Sequence, residues 1–301
     1  MKRLLKAVSL AAICACCQFA APLALADDDD AGVPQVPGDD IFGFTAPTDL
    51  GNTGDKGFAN ENDGRIGKRM GTYGALNTKY EFSYTINTDW WIAASPFLAF
   101  NHIRNVPGLP DKNTSDFDGL SMELAHRLLV RSDDNPWAIT ASIEPRWGRI
   151  DGESGFRSEN YGFGAKLFVD RVLVPDQLYW GGNLIWSPVW AKDPMVPNNN
   201  LINSTLLVSS AIAWEAVPDT LFLGAEASYT GSYGRIVTDH VMGQAIFAGP
   251  TVLWKINDQI SVNATYQPQV WGRSSQSPGL YLDLDNFERA TFRFKVSIGL
   301  Q

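Results

Sequence analysis

The sequence predicts an all-β fold, a transmembrane antiparallel up-and-down β-barrel of twelve strands, with ten strands as the alternative. Three observations lead to this prediction. The chain begins like an exported protein, strand-length runs of alternating apolar and polar residues follow, and short turns alternate with longer polar loops. Successive side chains of a strand point to opposite faces, so these runs have an apolar face for lipid and a polar face for a lumen.

Residues 1–26 have the features of a secretory signal peptide. Three basic residues precede an apolar stretch over 7–21, and Ala24-Leu25-Ala26 fits a cleavage site. We expect cleavage after Ala26, with an uncleaved anchor and a lipoprotein cut before Cys16 as alternatives. All three cysteines lie in this stretch, so the mature chain is expected to have neither disulfides nor thiolate ligands.

Residues 27–40 are acidic and rich in Pro and Gly, which predicts a disordered tail ahead of a barrel over 41–301. Beyond the signal no run of eighteen apolar residues occurs, so no transmembrane helix is expected. Nucleic-acid binding needs a basic patch, and this chain has a net charge of −9.

The first strand of the barrel is predicted by a counting argument. Eleven strands are visible from about residue 71, and the first and last of these run in the same direction. Closing an antiparallel barrel requires one more strand. The segment Ile41-Phe42-Gly43-Phe44-Thr45 is predicted to supply it, followed by a Gly-rich outer loop over 49–71.

Most of the later strands show two distinct faces. In the strand that ends before Asn87, Tyr80 and Phe82 are predicted to face lipid, while Lys79 and Glu81 face inward. The same alternation occurs over 120–131, 137–147 and 260–270, and it is less regular over 160–173, 201–216 and 241–256.

Turn chemistry predicts the two ends of the barrel. The near copies Val174-Pro175-Asp176 and Val217-Pro218-Asp219 are short turns, because Pro presets the turn and Asp bonds back to the backbone. Short turns are expected at the periplasmic end and long loops outside. The predicted long loops are 105–117, 151–159, 192–200, 234–240 and 273–286.

The last strand, over residues 287–301, has an apolar face and a cationic face. Arg289, Arg293 and Lys295 lie on the predicted inner face. The expected neighbouring strands, 261–269 and 41–45, offer no charged partner. These cations are therefore predicted to meet the acidic tail, to reach across the lumen, or to face water and favour anions.

Trp and Tyr cluster at the predicted strand ends, which is typical of the aromatic girdles of membrane barrels. An aromatic core of a soluble sandwich is the alternative. The residues are Trp90, Trp91, Trp137, Trp147, Tyr179, Trp180, Trp190, Trp254 and Trp271.

With its signal peptide, its Phe-Gly-Phe-Thr segment at 42–45 and its hairpin pattern, the chain resembles transporter-like outer-membrane β-barrels of Gram-negative bacteria. Some of these are encoded near pathways for the breakdown of aromatic compounds. The resemblance implies a location in the cell outer membrane. It also implies membrane lipid, the barrel assembly machinery and small solutes of unknown identity as partners.

Fourteen charged residues are predicted to face the lumen. They are Lys79, Glu81, Glu123, Arg127, Arg131, Glu144, Arg146, Lys166, Asp170, Glu215, Glu226, Arg289, Arg293 and Lys295. Two hypotheses follow from this set. In the first, opposite charges pair across neighbouring strands and fill the lumen. Side chains fill the lumen of small barrels, whereas large barrels keep a water channel, and a barrel of twelve strands is intermediate in size. Charged walls around a narrow pore would instead select solutes.

No catalytic, metal or cofactor site is predicted. None of His102, His126 and His240 has a serine two residues later, as the outer-membrane phospholipase family requires. Asp239 and His240 are adjacent, unlike the Asp-x-His of omptin proteases. Passive passage of small solutes is the leading function, a structural or surface-interaction barrel is the second, and a surface hydrolase is the third.

Overall fold

The computed structural model describes residues 35–300 except 39, 133, 194, 195, 197, 198, 237 and 238. Twelve antiparallel strands form one closed barrel in which each strand pairs with its neighbours in sequence and β1 pairs with β12. The predicted fold and strand number are therefore confirmed. The strands are β1 (Lys56–Ile66), β2 (Thr72–Asn87), β3 (Trp90–Arg104), β4 (Lys112–Leu129), β5 (Trp137–Ile150), β6 (Arg157–Val174), β7 (Leu178–Lys192), β8 (Asn200–Val217), β9 (Leu221–Tyr233), β10 (Val241–Lys255), β11 (Ile260–Ser274) and β12 (Ala290–Leu300).

The first strand is not the one that the sequence analysis predicted. β1 lies inside the predicted outer loop over 49–71, and residues 41–45 belong to no strand. β1 was missed because its outer face holds Asn60, Asn62 and Gly64 and so lacks apolar alternation. Asn62 donates to Asn60 Oδ1 at 2.7 Å and accepts from Thr78 Oγ1 at 2.8 Å, which satisfies these amides within the sheet.

A cross-strand contact fills the gap above Gly64. Gly64 pairs with Phe292 of β12, and a Cβ on Gly64 would lie 2.0 Å from Phe292 Cζ. The ring therefore covers the glycine, which is how an aromatic side chain supports a strand glycine.

The outer surface of the barrel is apolar along its strands. Large exposed side chains include Phe82, Met122, Ile143, Leu184, Val208, Ile212 and Phe294. Trp90, Trp137, Trp214 and Trp254 are also exposed, and all four lie near the short turns. Trp91 and Tyr179 differ from the predicted girdle, since Trp91 lines the interior cavity and Tyr179 is buried in an interior cluster.

Short turns and long loops occupy opposite ends of the barrel. The end that joins β2 to β3, β4 to β5, β6 to β7, β8 to β9 and β10 to β11 is called the turn end, and the other is called the loop end. No helix in the described part of the chain is long and apolar enough to cross a membrane.

Residues 35–55 without 39 are called the N-terminal segment, and most of its residues from 36 to 51 are buried or half-buried inside the barrel. Val36, Ile41 and Phe42 pack with Tyr179, Phe222 and Leu253 from the barrel wall. The predicted signal peptide and most of the predicted tail over 27–40 lie outside the described residues. Val36 and Asp40, from the end of that tail, are buried.

Candidate functional site

A cavity of about 1500 Å³ occupies the barrel interior. Its lining includes Asp258 and Leu300 at the turn end and Gly152 and Leu201 at the loop end. The lining thus extends over the length of the barrel. The N-terminal segment forms part of it, so the chain narrows its own lumen.

One glutamate holds the middle of the N-terminal segment. Glu226 of β9 accepts hydrogen bonds from the backbone N–H groups of Gly43, Phe44 and Thr45, with the Phe44 bond at 2.8 Å. Gln267 donates to the same carboxylate at 2.7 Å. A buried carboxylate needs such donors, so this contact fixes the segment to the wall.

Two small contacts explain the Phe-Gly-Phe sequence of the segment. A Cβ on Gly181 would lie 2.4 Å from Phe42 Cε2, so the wall glycine makes room for this ring. A Cβ on Gly43 would lie 2.6 Å from Thr265 Cβ, so the segment itself must have glycine there. The Phe44 ring lies under the guanidinium of Arg293, 4.7 Å from its centroid.

A second buried carboxylate holds the segment further along. Asp170 of β6 accepts from Thr48 N at 2.7 Å and from Thr48 Oγ1 at 2.8 Å, and it is paired with Arg131. Thr140 of β5 donates to Thr48 O at 2.8 Å. Near the end of the segment, Thr85 of β2 donates to Leu50 O.

The start of the segment is held by β11 and β12. Asp40 forms an ion pair with Lys295, and Asn263 donates to Asp40 O and Phe42 O at 2.9 Å each. Asp170, Thr140, Thr85 and Asn263 lie within a few residues of the short turns, whereas Glu226 and Lys295 lie near the middle of their strands. The N-terminal segment therefore crosses the lumen between the turn end and its middle.

Charged side chains line the middle of the lumen on one side. We call this set the charged belt, and it consists of Glu61, Asp63, Lys79, Glu81, Glu123, Glu144, Lys166 and Arg293. Its members come from β12, β1, β2, β4, β5 and β6, which is half of the closed barrel.

Each base of the charged belt contacts two carboxylates. Lys166 Nζ lies 2.8 Å from Glu123 and 2.6 Å from Glu144. Lys79 and Arg293 are arranged similarly. Lys79 Nζ lies 2.7 Å from Glu81 and 4.0 Å from Glu61, while Arg293 forms two 2.7 Å bonds to Asp63 and lies 3.2 Å from Glu61.

The opposite side of the lumen carries no charge. Every residue of β7 and β8 is described, and the residues of these strands that line the cavity are all uncharged. β7 lies six strands from β1 around the closed barrel, which is diametrically opposite. We call Ile185, Ser187, Val189, Ala191, Leu201, Asn203 and Thr205 the uncharged wall.

Acids outnumber bases in the cavity lining. Among the residues that the structure describes, twelve acidic and eight basic residues line it. The acids are Asp40, Asp49, Asp55, Glu61, Asp63, Glu81, Asp118, Glu123, Glu144, Asp151, Asp219 and Asp258, and the bases are Lys56, Arg65, Lys79, Arg146, Lys166, Lys255, Arg293 and Lys295.

The structure distributes the fourteen predicted lumen residues among several places. Eight line the cavity: Lys79, Glu81, Glu123, Glu144, Arg146, Lys166, Arg293 and Lys295. Arg131, Asp170 and Glu226 are buried against the N-terminal segment, and Arg127 lies 3.7 Å from Asp49 of that segment. Glu215 accepts from the Tyr179 hydroxyl near the turn end, and Arg289 is exposed before β12.

The prediction that the last strand lacks a charged neighbour is wrong. Its neighbour is β1 rather than residues 41–45, and Asp63 lies directly opposite Arg293. Arg293 therefore has adjacent-strand partners, and Lys295 is paired with Asp40. The basis for anion preference is removed. Missing β1 had also left Glu61 and Asp63 out of the predicted lumen.

At the loop end, two loops fold toward the lumen. Lys68 is almost fully buried, with Nζ 3.1 Å from Glu153 and 3.8 Å from Glu288. Gln269 donates to the backbone oxygens of Asp283 and Glu288, which draws the loop before β12 inward. These loops therefore cover part of the lumen at the loop end.

The histidines lie apart from the charged belt. His126 Nδ1 lies 3.1 Å from Asp89 O, and its ring stacks on Trp90 with centroids 4.2 Å apart. His102 is exposed on the outer face of β3. Among the described residues, no group of three or more His, Cys, Asp and Glu is arranged to hold a metal ion.

The barrel fold is shared with known outer-membrane channels. The COG4313 outer membrane channel from Pseudomonas putida F1 matches 84% of this chain and 98% of its own, with a TM-score of 0.55 and 8% identity. The NanC porin matches 81% of this chain and 100% of its own, with a TM-score of 0.49 and 11% identity. At 8% identity, the likeness to the COG4313 channel shows the fold alone.

Two comparisons of the sequence complete these findings. A search of curated proteins found no match. A family model described as a family of unknown function, DUF6662, matches residues 34–300.

Proposed function

The chain belongs to DUF6662, a family of unknown function, and we propose that it is a narrow outer-membrane channel for the passive passage of small solutes. The observation that carries this proposal is the interior cavity, whose lining reaches from the turn end to the loop end. A lumen filled by packed side chains would have no such cavity.

The lining favours polar solutes over apolar ones. The charged belt and the backbone of the N-terminal segment both present hydrogen-bonding groups to the cavity. Fixed charges and dipoles along a narrow pore select the solutes that cross it. Because the N-terminal segment crosses the lumen between the turn end and its middle, it narrows the proposed path there.

The proposed location rests on the outer surface and the chain start. Exposed apolar side chains cover the strands, and tryptophans lie near the short turns. An apolar band with interfacial aromatics is what a membrane barrel presents to lipid. The signal peptide over 1–26 would direct export, and the barrel assembly machinery would insert the chain.

Planar bilayer recordings test the proposed path. Purified protein should give discrete current steps above those of lipid alone. Thr205→Trp, on the uncharged wall, should reduce the step size, because Thr205 is exposed to the cavity. Val208→Trp is the matched control on the same strand, since Val208 is exposed on the outer face and should leave the step unchanged.

A structural barrel is the second candidate function. The observation that favours it is that the N-terminal segment and the paired charges occupy much of the lumen. Folded protein that gives no current steps, in both wild type and Thr205→Trp, would support this candidate and contradict the channel.

A further inference from the structure

The charged belt has unused hydrogen-bond acceptors and few unused donors. Each of its three bases already contacts two carboxylates, and Arg293 also donates to Gly43 O of the N-terminal segment. An ionised carboxylate can accept about four hydrogen bonds, whereas an ammonium donates only three. A solute with hydrogen-bond donors can therefore bind to the charged belt, whereas a solute with only acceptors has few partners there.

The net charge of the cavity lining also favours solutes that carry positively charged donors. In the described part of the chain, four more acids than bases line the cavity. A lumen lined by an excess of one sign, with low-dielectric walls, concentrates the opposite sign inside it. Cations are therefore favoured over anions.

Apolar side chains of β7 and β8 continue the lumen wall beyond the charged belt. Ile185, Val189 and Leu201 of the uncharged wall are half-buried and line the cavity. Ile185 pairs in register with Lys166 of the charged belt on the adjacent strand, so this apolar side chain lies beside the belt at the same level of the barrel. A solute at this level can touch charged and apolar groups at once.

We propose that the lumen takes organic cations, solutes with an ammonium group on one side and an apolar body on the other. The ammonium group faces the carboxylates of the charged belt, and the apolar body faces the uncharged wall. This inference rests on the proposed channel function and adds the class of solute.

The first measurement is the reversal potential of single channels under a KCl gradient. Wild type should prefer K⁺ over Cl⁻. Glu81→Gln with Glu144→Gln should bring the permeability ratio toward one, because both side chains line the lumen. Glu159→Gln is the control, since Glu159 is exposed at the loop end and is paired with Lys192, outside the cavity lining.

The second measurement compares current block by tetramethylammonium and by benzyltrimethylammonium, which differ only in an apolar ring. The ring-bearing ion should block wild type at lower concentration. Ile185→Ser should weaken its block by about four-fold, the factor expected for loss of about one buried methylene contact. The same variant should keep its block by tetramethylammonium. Ser187→Ala, on the same face of β7, is the control and should change neither value.

These outcomes separate the inference from the proposed function. Wild type that conducts but prefers Cl⁻, or that both ammonium ions block equally, contradicts the organic-cation inference and leaves the channel standing. Folded wild type without current steps contradicts the channel and the inference together. Heat-modifiable migration on gels shows whether each variant is folded. Ile185→Ser on the uncharged wall and Glu81→Gln with Glu144→Gln in the charged belt test the inference independently.

Discussion

Gly181 illustrates how a single wall residue determines where the N-terminal segment lies. Its missing side chain leaves the space that the Phe42 ring fills, next to Tyr179 and Phe222. Phe42 is almost fully buried there. The Phe-Gly-Phe sequence, which the sequence analysis assigned to a strand, is instead the contact sequence of the segment inside the barrel.

Gly181→Ala should displace the Phe42 ring. The added methyl group would lie 2.4 Å from a ring carbon, and overpacking of this kind costs about 1–3 kcal/mol. The measurement is the urea midpoint of unfolding in lipid vesicles, which should fall. Gly74→Ala is the control, because its nearest contact would be a backbone oxygen at 4.0 Å. Equal midpoints for wild type and Gly181→Ala would contradict the contact.

The two faces of β12 should respond differently to a new charge. Phe294 is 45% exposed on the outer face near the middle of β12, so Phe294→Arg should cost about 2–4 kcal/mol of unfolding free energy in a bilayer. Ser297 lines the cavity, so Ser297→Arg should cost much less. Equal losses from the two substitutions would refute the register of the last strand.

At the scale of elements, the N-terminal segment depends on carboxylates supplied by the wall. Glu226 alone accepts from three of its backbone N–H groups. Glu226→Ala removes these acceptors, and each buried donor left unsatisfied costs about 1–3 kcal/mol. We expect the segment to leave its place and the current step in planar bilayers to increase.

Glu159→Ala provides the control for this prediction. Glu159 is an exposed carboxylate of β6 that pairs with Lys192 and makes no contact with the segment among the described residues. Its removal should leave the current step unchanged. An unchanged step in Glu226→Ala would show that the segment does not narrow the path.

How far each element could be predicted from sequence depends on its inner face. β2 and β12 alternate charged inner residues with apolar outer ones, and their faces were predictable. β8 carries Leu201, Ala211 and Ala213 on its inner face, so apolar residues occur on both sides and the alternation is weak. The alternation is also weak in β1, but there the cause is a polar outer face.

The N-terminal segment could not be predicted because nothing local marks it. Its residues are held by Glu226, Asp170 and Asn263, which are more than 100 positions away in sequence. When long-range contacts are unknown, a short apolar run next to the predicted strands of a barrel is itself predicted to be a strand. Glu61 and Asp63 were missed as partners of the last strand for the same reason, because β1 was placed in a loop.

At the scale of the whole molecule, the closed barrel should behave as an outer-membrane protein. Folded barrels of this kind resist unfolding in detergent, because every strand is paired on both sides and the sheet has no open edge. We expect fractionation with outer membranes and a gel mobility that changes on heating. Recovery of the folded protein in the soluble periplasmic fraction would contradict the membrane location.

The central claim is that a solute path runs through a lumen narrowed by the N-terminal segment, and disulfide trapping tests it most directly. Thr45 Oγ1 donates to Ser209 Oγ at 2.9 Å, so cysteines at both positions would place two sulfurs within bonding reach. The cysteines of the chain all lie within the predicted signal peptide, so no other thiol would compete in the mature protein.

The account predicts that Thr45→Cys with Ser209→Cys forms a crosslink in membranes, that reductant reverses it, and that the crosslinked barrel conducts like wild type. Thr45→Cys with Ser95→Cys is the control, because Ser95 lies on β3, five strands from β8, and should stay reduced. Folded protein in which Thr45→Cys and Ser209→Cys stay reduced under oxidant would contradict the account.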